Sequence, residues 1–446
     1  MASMQIGGII SGLNTQELID QLMAIEARPM VLLEEQQEAL NVEKAAYAQI
    51  RTSLGSLSSA LQTLLEAGTW SAKIASSSDE GVVLASADGS AAPGSYSIDV
   101  AQLATAHSVA SEAQTSSTDP LGYAGTVEIN GVAITVTSDM TLEGLRDAIN
   151  AETEQTGVSA AIIADTLVLT STETGQANAI TLNDPDGIWA SLGVWDPTTP
   201  GFKNELIAAQ DAAFTINGLA LTSGSNEVSD AVAGVTVTLR AVGEATVEVR
   251  NDTQRIIDKI KAAVSAYNST HSLIASQTGQ EAVLQGESTV TGLAFDLRRS
   301  FTGLVGTGST YELLAEIGIT ADKEGSLQLD ETALREALET DPAAVEKLFT
   351  ASAAVDGYDG IATRTEALID RYTNADGILA LRDQMYQDRI DRLDESIEAF
   401  QERLDAQRER LVAQFTRMEM ALAQLQSMGN ALSGQLLSLA SLQMQS

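Results

Sequence analysis

Two histidines, His107 and His271, stand 164 positions apart in a chain of 446 residues that has no cysteine. That scarcity decides most of the available chemistry. No HExxH zinc helix can be written, no thiolate can attack or ligate, and no disulfide can form. His271 falls on an apolar helical stripe with Tyr267 and Ile274, which assigns it to packing. His107 sits at an Ala/Ser/Thr-rich strand exit and is expected at the surface. The GTGST run at 306–310 has the look of a phosphate loop, but its third glycine is missing and the chain has no Gly-Lys dipeptide. It reads as a loop. NDPDG at 183–187 and DGYDG at 356–360 gather oxygen ligands, yet an EF-hand needs a bidentate Glu at its twelfth position. Counted from Asp184 that position is Trp195, and counted from Asp356 it is Ala367. Both clusters are turns. No catalytic residue, cofactor site or metal site is expected, and an enzyme has no supporting constellation.

Composition narrows the partners. The 25 basic residues face 61 acidic ones, a net charge of -36 that repels phosphate backbones and anionic lipid. Nucleic acid is not an expected partner. No run of about 18 apolar residues is present, so no membrane insertion is expected. The first basic residue is Arg28, so a classical signal peptide is not expected either. A chain this long should divide into two to four domains.

The elements that must carry any function fall into two classes. Asn14 with Glu17 is a capping pair before Leu18, Leu22 and Ile25, which repeat at helical spacing up to Pro29. Tyr47, Ile50, Leu54, Leu57, Leu61 and Leu64 then alternate at 3 and 4 residues, the spacing of a coiled-coil seam. Near the other end Ile390, Leu393, Ile397, Phe400 and Leu404 repeat the pattern. Leu411, Phe415, Met418, Leu422 and Leu425 resume it after a slip near Gln407 that resembles a stutter. So long a helix needs a partner, and the N-terminal heptads are the candidate within the chain. The expected intrachain coiled coil joins Tyr47, Ile50, Leu54, Leu57 and Leu61 to Ile390, Leu393, Ile397, Phe400 and Leu404.

Between the helical ends the period changes. SYSIDVAQL, TVEINGVAITV, TLVLTS, FTINGLALT, GVTVTLRAV and ATVEVRN are short, β-branched and bounded by turn residues. The segments 127–134 and 214–221 share Ile-Asn-Gly, a hairpin signal, and suggest two small lobes on one plan. Thr141 should cap a short helix carrying Leu142, Leu145 and Ile149. Between Ile74 and Leu239 there are 21 acidic residues and two basic ones, so this middle is a solvated acidic region.

The fold expected is therefore α+β and multidomain, with N- and C-terminal helices paired as coiled-coil or bundle legs and two β-rich lobes inserted. The expected division is a terminal helical leg that is disordered in the monomer (1–44 with 410–446), a helical bundle (45–72 with 252–409), one β lobe (73–118 with 210–251) and a second with a short helix (119–209). Residues 1–16 and 420–446 carry no charge at all. Such tails are expected to be disordered in the monomer and to bury apolar surface on assembly. The assembly residues expected are Leu18, Leu22, Ile25, Leu411, Phe415, Leu422, Leu425, Leu432, Leu436 and Leu439.

Several ordered segments resemble the bacterial flagellar filament cap, the hook-associated protein 2 family. They are SGLNTQELIDQLM at 11–23 with EARP at 26–29; LLAEIGI at 313–319 with GSLQLD at 325–330, Asp341-Pro342 and Leu348-Phe349; and DGIL at 376–379 with QFT at 414–416. TLEGLRDAIN and the Ile-Asn-Gly repeat belong to the same resemblance. It implies helical legs inserted in the filament, β lobes forming a plate outside, and a homo-oligomeric ring at the filament tip that helps exported flagellin fold into place. It implies flagellin, the hook–filament junction proteins and an export chaperone as partners. It also implies secretion by the flagellar type III route, without a cleaved signal, to the extracellular tip. Two rival readings are another flagellar axial protein (a hook–filament junction protein or a filament subunit) and a secreted adhesin that binds surface glycans. No aromatic platform is evident for the latter beyond Trp189 and Trp195 with Tyr123, and core packing is expected of both tryptophans.

Overall fold

The computed structural model describes residues 14–198, 201–306 and 310–443. The chain divides into two units, Met1–Leu65 with Ile257–Ser446, and Glu66–Ile256. The second boundary falls inside the helix Thr253–Thr278, a few residues beyond the junction that the change of period marks.

The first unit is helical. Asn14 accepts from the Glu17 amide through Oδ1 and donates to the Glu17 carboxylate through Nδ2, so the helix Thr15–Glu26 starts where the capping pair predicts. Ala27 separates it from Arg28–Leu65, whose second residue is Pro29. A proline in the first turn lacks only an amide that needs no partner there, so the long helix begins without loss. Tyr47, Ile50, Leu54, Leu57 and Leu61 are all buried along it. Around them pack Thr253–Thr278, Ser288–Thr302, Pro342–Thr350 and Ile361–Thr373. Asp341 caps Pro342–Thr350 by accepting from the Ala344 amide, with proline at the first helical position.

The last helix runs unbroken from Ile378 to Gln443, 66 residues or roughly 100 Å at about 1.5 Å each. Here the structure departs from the sequence expectation. Disorder in the monomer was expected for the leg 1–44 with 410–446, and the backbone is helical over Thr15–Glu26, from Arg28 onward in Arg28–Leu65, and through Gln443 in the last helix. The tail is rich in Ala, Leu, Met and Gln, which lose little on entering a helix, so backbone order does not require that the side chains be sheltered. They are not: Leu425, Leu432 and Leu436 are each at least 60% exposed.

The second unit is built on two cores. A five-stranded antiparallel sheet has the order Lys73–Ser77, Gly243–Asn251, Gly94–Gln102, Ala212–Ile216, Leu219–Ser223. With the three-stranded sheet Glu227–Val232, Val235–Leu239, Val83–Ala87, it encloses Ile98, Val100, Phe214, Val237 and Val247. The other core collects Val127, Ile129, Leu145, Ile149, Leu169 and Trp189. It lies among a sheet ordered Glu205–Ile207, Ala106–Ala110, Thr166–Thr174, Val158–Ile163, a smaller sheet around Gly125–Ile129, and the helix Leu142–Ala151. Thr141 caps that helix by accepting from the Gly144 amide, and Leu142, Leu145 and Ile149 are fully buried. The lobe boundary expected near residue 118 lies earlier. Ala106–Ala110 hydrogen-bonds to Thr166–Thr174 and so belongs with the second core.

The repeated Ile-Asn-Gly segments are both two-residue hairpin turns, with positive φ at Asn130, Gly131, Asn217 and Gly218. They share a further device. The Asn130 amide donates to the Thr181 carbonyl at 2.9 Å while Asn130 Oδ1 accepts from the Thr181 amide at 2.8 Å. The Asn217 amide donates to the Ser97 carbonyl at 2.8 Å, and Asn217 Oδ1 accepts from the Ser97 amide at 2.9 Å. Each turn is thus clasped to the neighbouring chain by one residue acting as donor and acceptor.

Candidate functional site

The two histidines do structural work. His107 is buried, contrary to the surface position expected. Its Nδ1 accepts from the Ile180 amide at 2.9 Å, and its Nε2 lies 3.2 Å from Glu205 Oε1. A ring nitrogen that accepts from a backbone amide carries no proton, so Nε2 is the donor to Glu205. His107, Ser108, Val109 and Ala110 are all buried, so this strand is covered on both faces, which the small flanking residues did not reveal. His271 stacks on Tyr267 and donates through Nε2 to the Glu324 carbonyl at 3.0 Å.

The carboxylate clusters are turns. Asp184 accepts from the amides of Trp189 and Ala190, and Asp186 accepts from the Thr126 amide. Asp356 accepts from the Ser352 amide and Asp359 from the Ala353 amide. Among the described residues no group of three or more His, Asp or Glu is arranged to hold a metal ion, and no helix is long and apolar enough to cross a membrane. Gly306 packs under Tyr358, where a Cβ would lie 2.1 Å from the ring; residues 307–309 of the GTGST run lie outside the described residues. Trp189 is fully buried and donates to the Glu128 carbonyl, so it cannot join Trp195 and Tyr123 in an exposed glycan platform.

What the helical unit does present is a stalk. Asp20 pairs with Arg408 at 3.1 Å, Gln37 with Asp394, Lys44 with Gln387, and the rings of Tyr47 and Tyr386 lie 5.5 Å apart. The N-terminal helices and the last helix therefore run antiparallel, and opposite ends of the chain meet. At the base of the stalk the Tyr47 hydroxyl donates to Glu287 at 3.1 Å, with Arg382 3.9 Å from the same carboxylate. Burial, then Glu287, pushes the Tyr47 phenol far above its ordinary range. Burial, then a hydrogen bond to Glu43, pushes Tyr386 up to about 12. Both stay neutral and serve packing.

The register corrects the expected coiled coil. Leu393 shares a groove with Leu40, Gln36 and Ala39, and Asp394 meets Gln37. Hence Ile390, Leu393, Ile397, Phe400 and Leu404 lie along the first part of Arg28–Leu65, not opposite Ile50–Leu61. The latter residues face the bundle: Ser53 bonds Thr270 at 2.8 Å, and Ser58 and Gln62 both donate to Glu366. The signal was present in the sequence. Stepping back from Tyr47 by sevens lands on Leu40 and Leu33, which continue the seam.

Of the expected assembly residues, Leu18, Leu22 and Ile25 are exposed on the outer face of their helix, while Ile19 beside them is buried. Leu411, Phe415 and Leu422 are half-buried; Leu425, Leu432 and Leu436 are exposed, and the Leu439 side chain lies outside the described residues. The stalk thus buries one apolar face within the chain and leaves a second open.

The ends that form this stalk are also the ends that known proteins match. The profile of the flagellar hook-associated protein 2 N-terminus matches residues 11–107, and that of its C-terminus matches 209–427. The flagellin hook IN motif matches 121–173. The B-type flagellar hook-associated protein 2 of Pseudomonas aeruginosa is 32% identical over 430 residues, spanning 88% of this chain and 89% of that protein.

The chain belongs to the flagellar hook-associated protein 2 family.

The member from Escherichia coli K12 is 29% identical over 468 residues, with 98% of each chain covered. The crystal structure of the D1–D2–D3 domains of the flagellar cap protein from Escherichia coli is similar at 29% identity and a TM-score of 0.63, covering 76% of this chain and 99% of that one. In hook-associated protein 2 terms, the N- and C-terminal profiles supply the two antiparallel partners of the stalk, and the IN motif covers the clasped Asn130 hairpin and the helix capped by Thr141.

Proposed function

We propose that this chain is the structural cap at the distal end of a bacterial flagellar filament, where it forms a homo-oligomeric plate that promotes the folding and insertion of exported flagellin. Family membership sets the process. The observation that carries the mechanism is the stalk with an apolar face that no described residue of its own chain covers. A buried leucine contributes about 1.5–3 kcal/mol. Leu18, Leu22, Leu425, Leu432 and Leu436 together therefore offset a substantial share of the about 4–15 kcal/mol that association costs, once neighbouring subunits enclose them. The tail beyond Glu419 has no charge, so no ionic pair is desolvated and the contact tolerates changes of register as subunits are added. Its partners on this reading are copies of itself, flagellin, the hook–filament junction proteins and an export chaperone. It works outside the cell after export by the flagellar type III route and performs no catalysis.

Truncation after Glu419 tests this. The β unit should keep its fold by circular dichroism, while a strain carrying only the truncated chain should lose swimming and shed flagellin into the medium. Normal swimming would contradict the proposal.

A further inference from the structure

A groove of about 640 Å³ separates the helices Ser288–Thr302 and Ile361–Thr373, lined by Arg299, Leu304, Arg364, Leu368 and Arg371 among others. Three guanidinium groups in one groove are unusual in a chain this acidic, and they are differently committed. Arg364 donates to the carbonyls of Ser300, Gly303 and Leu304 at 2.6–3.0 Å, which closes the end of the first helix and fixes the groove floor. Arg371 pairs with Asp296 at 3.2 Å and remains largely exposed. Arg299 is exposed; its carbonyl accepts from the Gly303 amide at 2.9 Å, and its guanidinium has no hydrogen bond or ion pair among the described residues. Of the groove's carboxylates, Asp296 is taken by Arg371, and Asp359 accepts from the Ala353 amide.

The rim is apolar. Phe295 lies one turn before Arg299 on the same helix face and is 66% exposed, and Leu304 is 56% exposed. An open aromatic ring beside an uncommitted arginine has the composition of an interface anchor, because both give large contact at small entropic cost.

We propose that this groove docks the acidic β unit of a second copy of the chain. Charge complementarity selects that occupant. The stretch from Ile74 to Leu239 carries 21 acidic residues against two basic ones, so the strongest anionic surface that any copy meets in a homo-oligomer is another copy's β unit. The helical unit would thereby supply a cationic seat and the β unit its counterpart, in a head-to-tail contact of the kind that builds rings. The proposal rests on the self-association stated above and adds to it which surfaces meet.

The test uses the full-length protein with a photo-crosslinking phenylalanine analogue at position 295, assembled from a mixture of isotopically light and heavy chains. Crosslinks between light and heavy copies that map to residues 66–256 are expected. Crosslinks confined to one copy, or to the helical unit, or no crosslink within a formed oligomer, would overturn the proposal. The variant F295S/R299E should weaken self-association at least tenfold at low salt. Most of the Arg299 part of that effect should vanish near 1 M salt, where the screening length falls to about 3 Å. Both side chains are exposed, so an unchanged melting profile verifies the fold. Wild-type protein that stays monomeric would sink the ring reading as well; equal association of the variant would sink only the groove.

Discussion

Nη2 of Arg408 donates to Oδ1 of Asp20 at 3.1 Å, although the two residues stand 388 positions apart in the chain. Both side chains are about half exposed, so the pair contributes about 0.2–1 kcal/mol at most. Its value is geometric, because it fixes the direction and register in which the two chain ends meet. The chain has no cysteine, so D20C/R408C introduces the only thiols. A short bis-maleimide should join them within one chain at low protein concentration, giving a faster band on a denaturing gel. Crosslinking only between chains would place the ends apart.

Leucines of the same type should divide by position. Leu54 is fully buried, and L54A should destabilise the helical unit by about 2–5 kcal/mol in urea unfolding, from lost transfer energy plus the cavity left behind. Leu432 is 60% exposed, and L432A should change the unfolding of the isolated chain by less than about 0.5 kcal/mol while reducing motility. The reverse order would mean that the stalk tip is part of the intrachain core.

Alkali should loosen the helical unit. Tyr386 is raised from 10 to about 12, first by burial and then by Glu43, and Tyr267 is raised to about 12, chiefly by burial. Since the folded chain holds these protons more tightly than the unfolded one, the contribution is complete below about pH 10 and is lost as pH rises toward 12. Urea midpoints measured at pH 9 and pH 11.5 should fall, and Y386F should reduce the drop. A midpoint that holds steady across this range would contradict the burial of these phenols.

The two Asn-Gly clasps should weigh alike. N217A leaves the Ser97 amide without its acceptor, and N130A does the same to Thr181. Both hydrogen bonds are exposed, so water can replace the lost acceptor and each variant should cost about 0.5–1.5 kcal/mol in chemical unfolding, with N217D and N130D milder because the acceptor oxygen is kept. Alanine variants within a few tenths of wild type would show that the shared geometry carries no stability.

Most of this architecture could be read from period and punctuation. The capping pair Asn14/Glu17, the Asp341-Pro342 start, the Thr141 cap and both Asn-Gly hairpins are local devices, and local chemistry places them. What could not be read is pairing across distance. Heptads at Tyr47–Leu61 and at Ile390–Leu404 look like partners because each is a seam, but which seam faces which depends on the hydrogen bonds of Lys44 and Gln37 with residues some 350 positions away. The same limit misplaced Ala106–Ala110, whose sheet partner Thr166–Thr174 is chosen by tertiary hydrogen bonding, and with it misplaced His107. The tail failed for a different reason. Absence of charge speaks to side-chain shelter, whereas helix formation is decided by backbone propensity, and there the two disagree.

The central claim is that the stalk tip has an apolar face that only neighbouring subunits cover. Amide hydrogen exchange across Leu422–Leu436 tests it most directly, compared between the isolated chain and the same chain on capped filaments. A helix with no packed face opens readily, so these amides should exchange much faster than those around Leu54 in the isolated chain and become strongly protected in the assembly. Protection in the isolated chain equal to that around Leu54 would contradict the account.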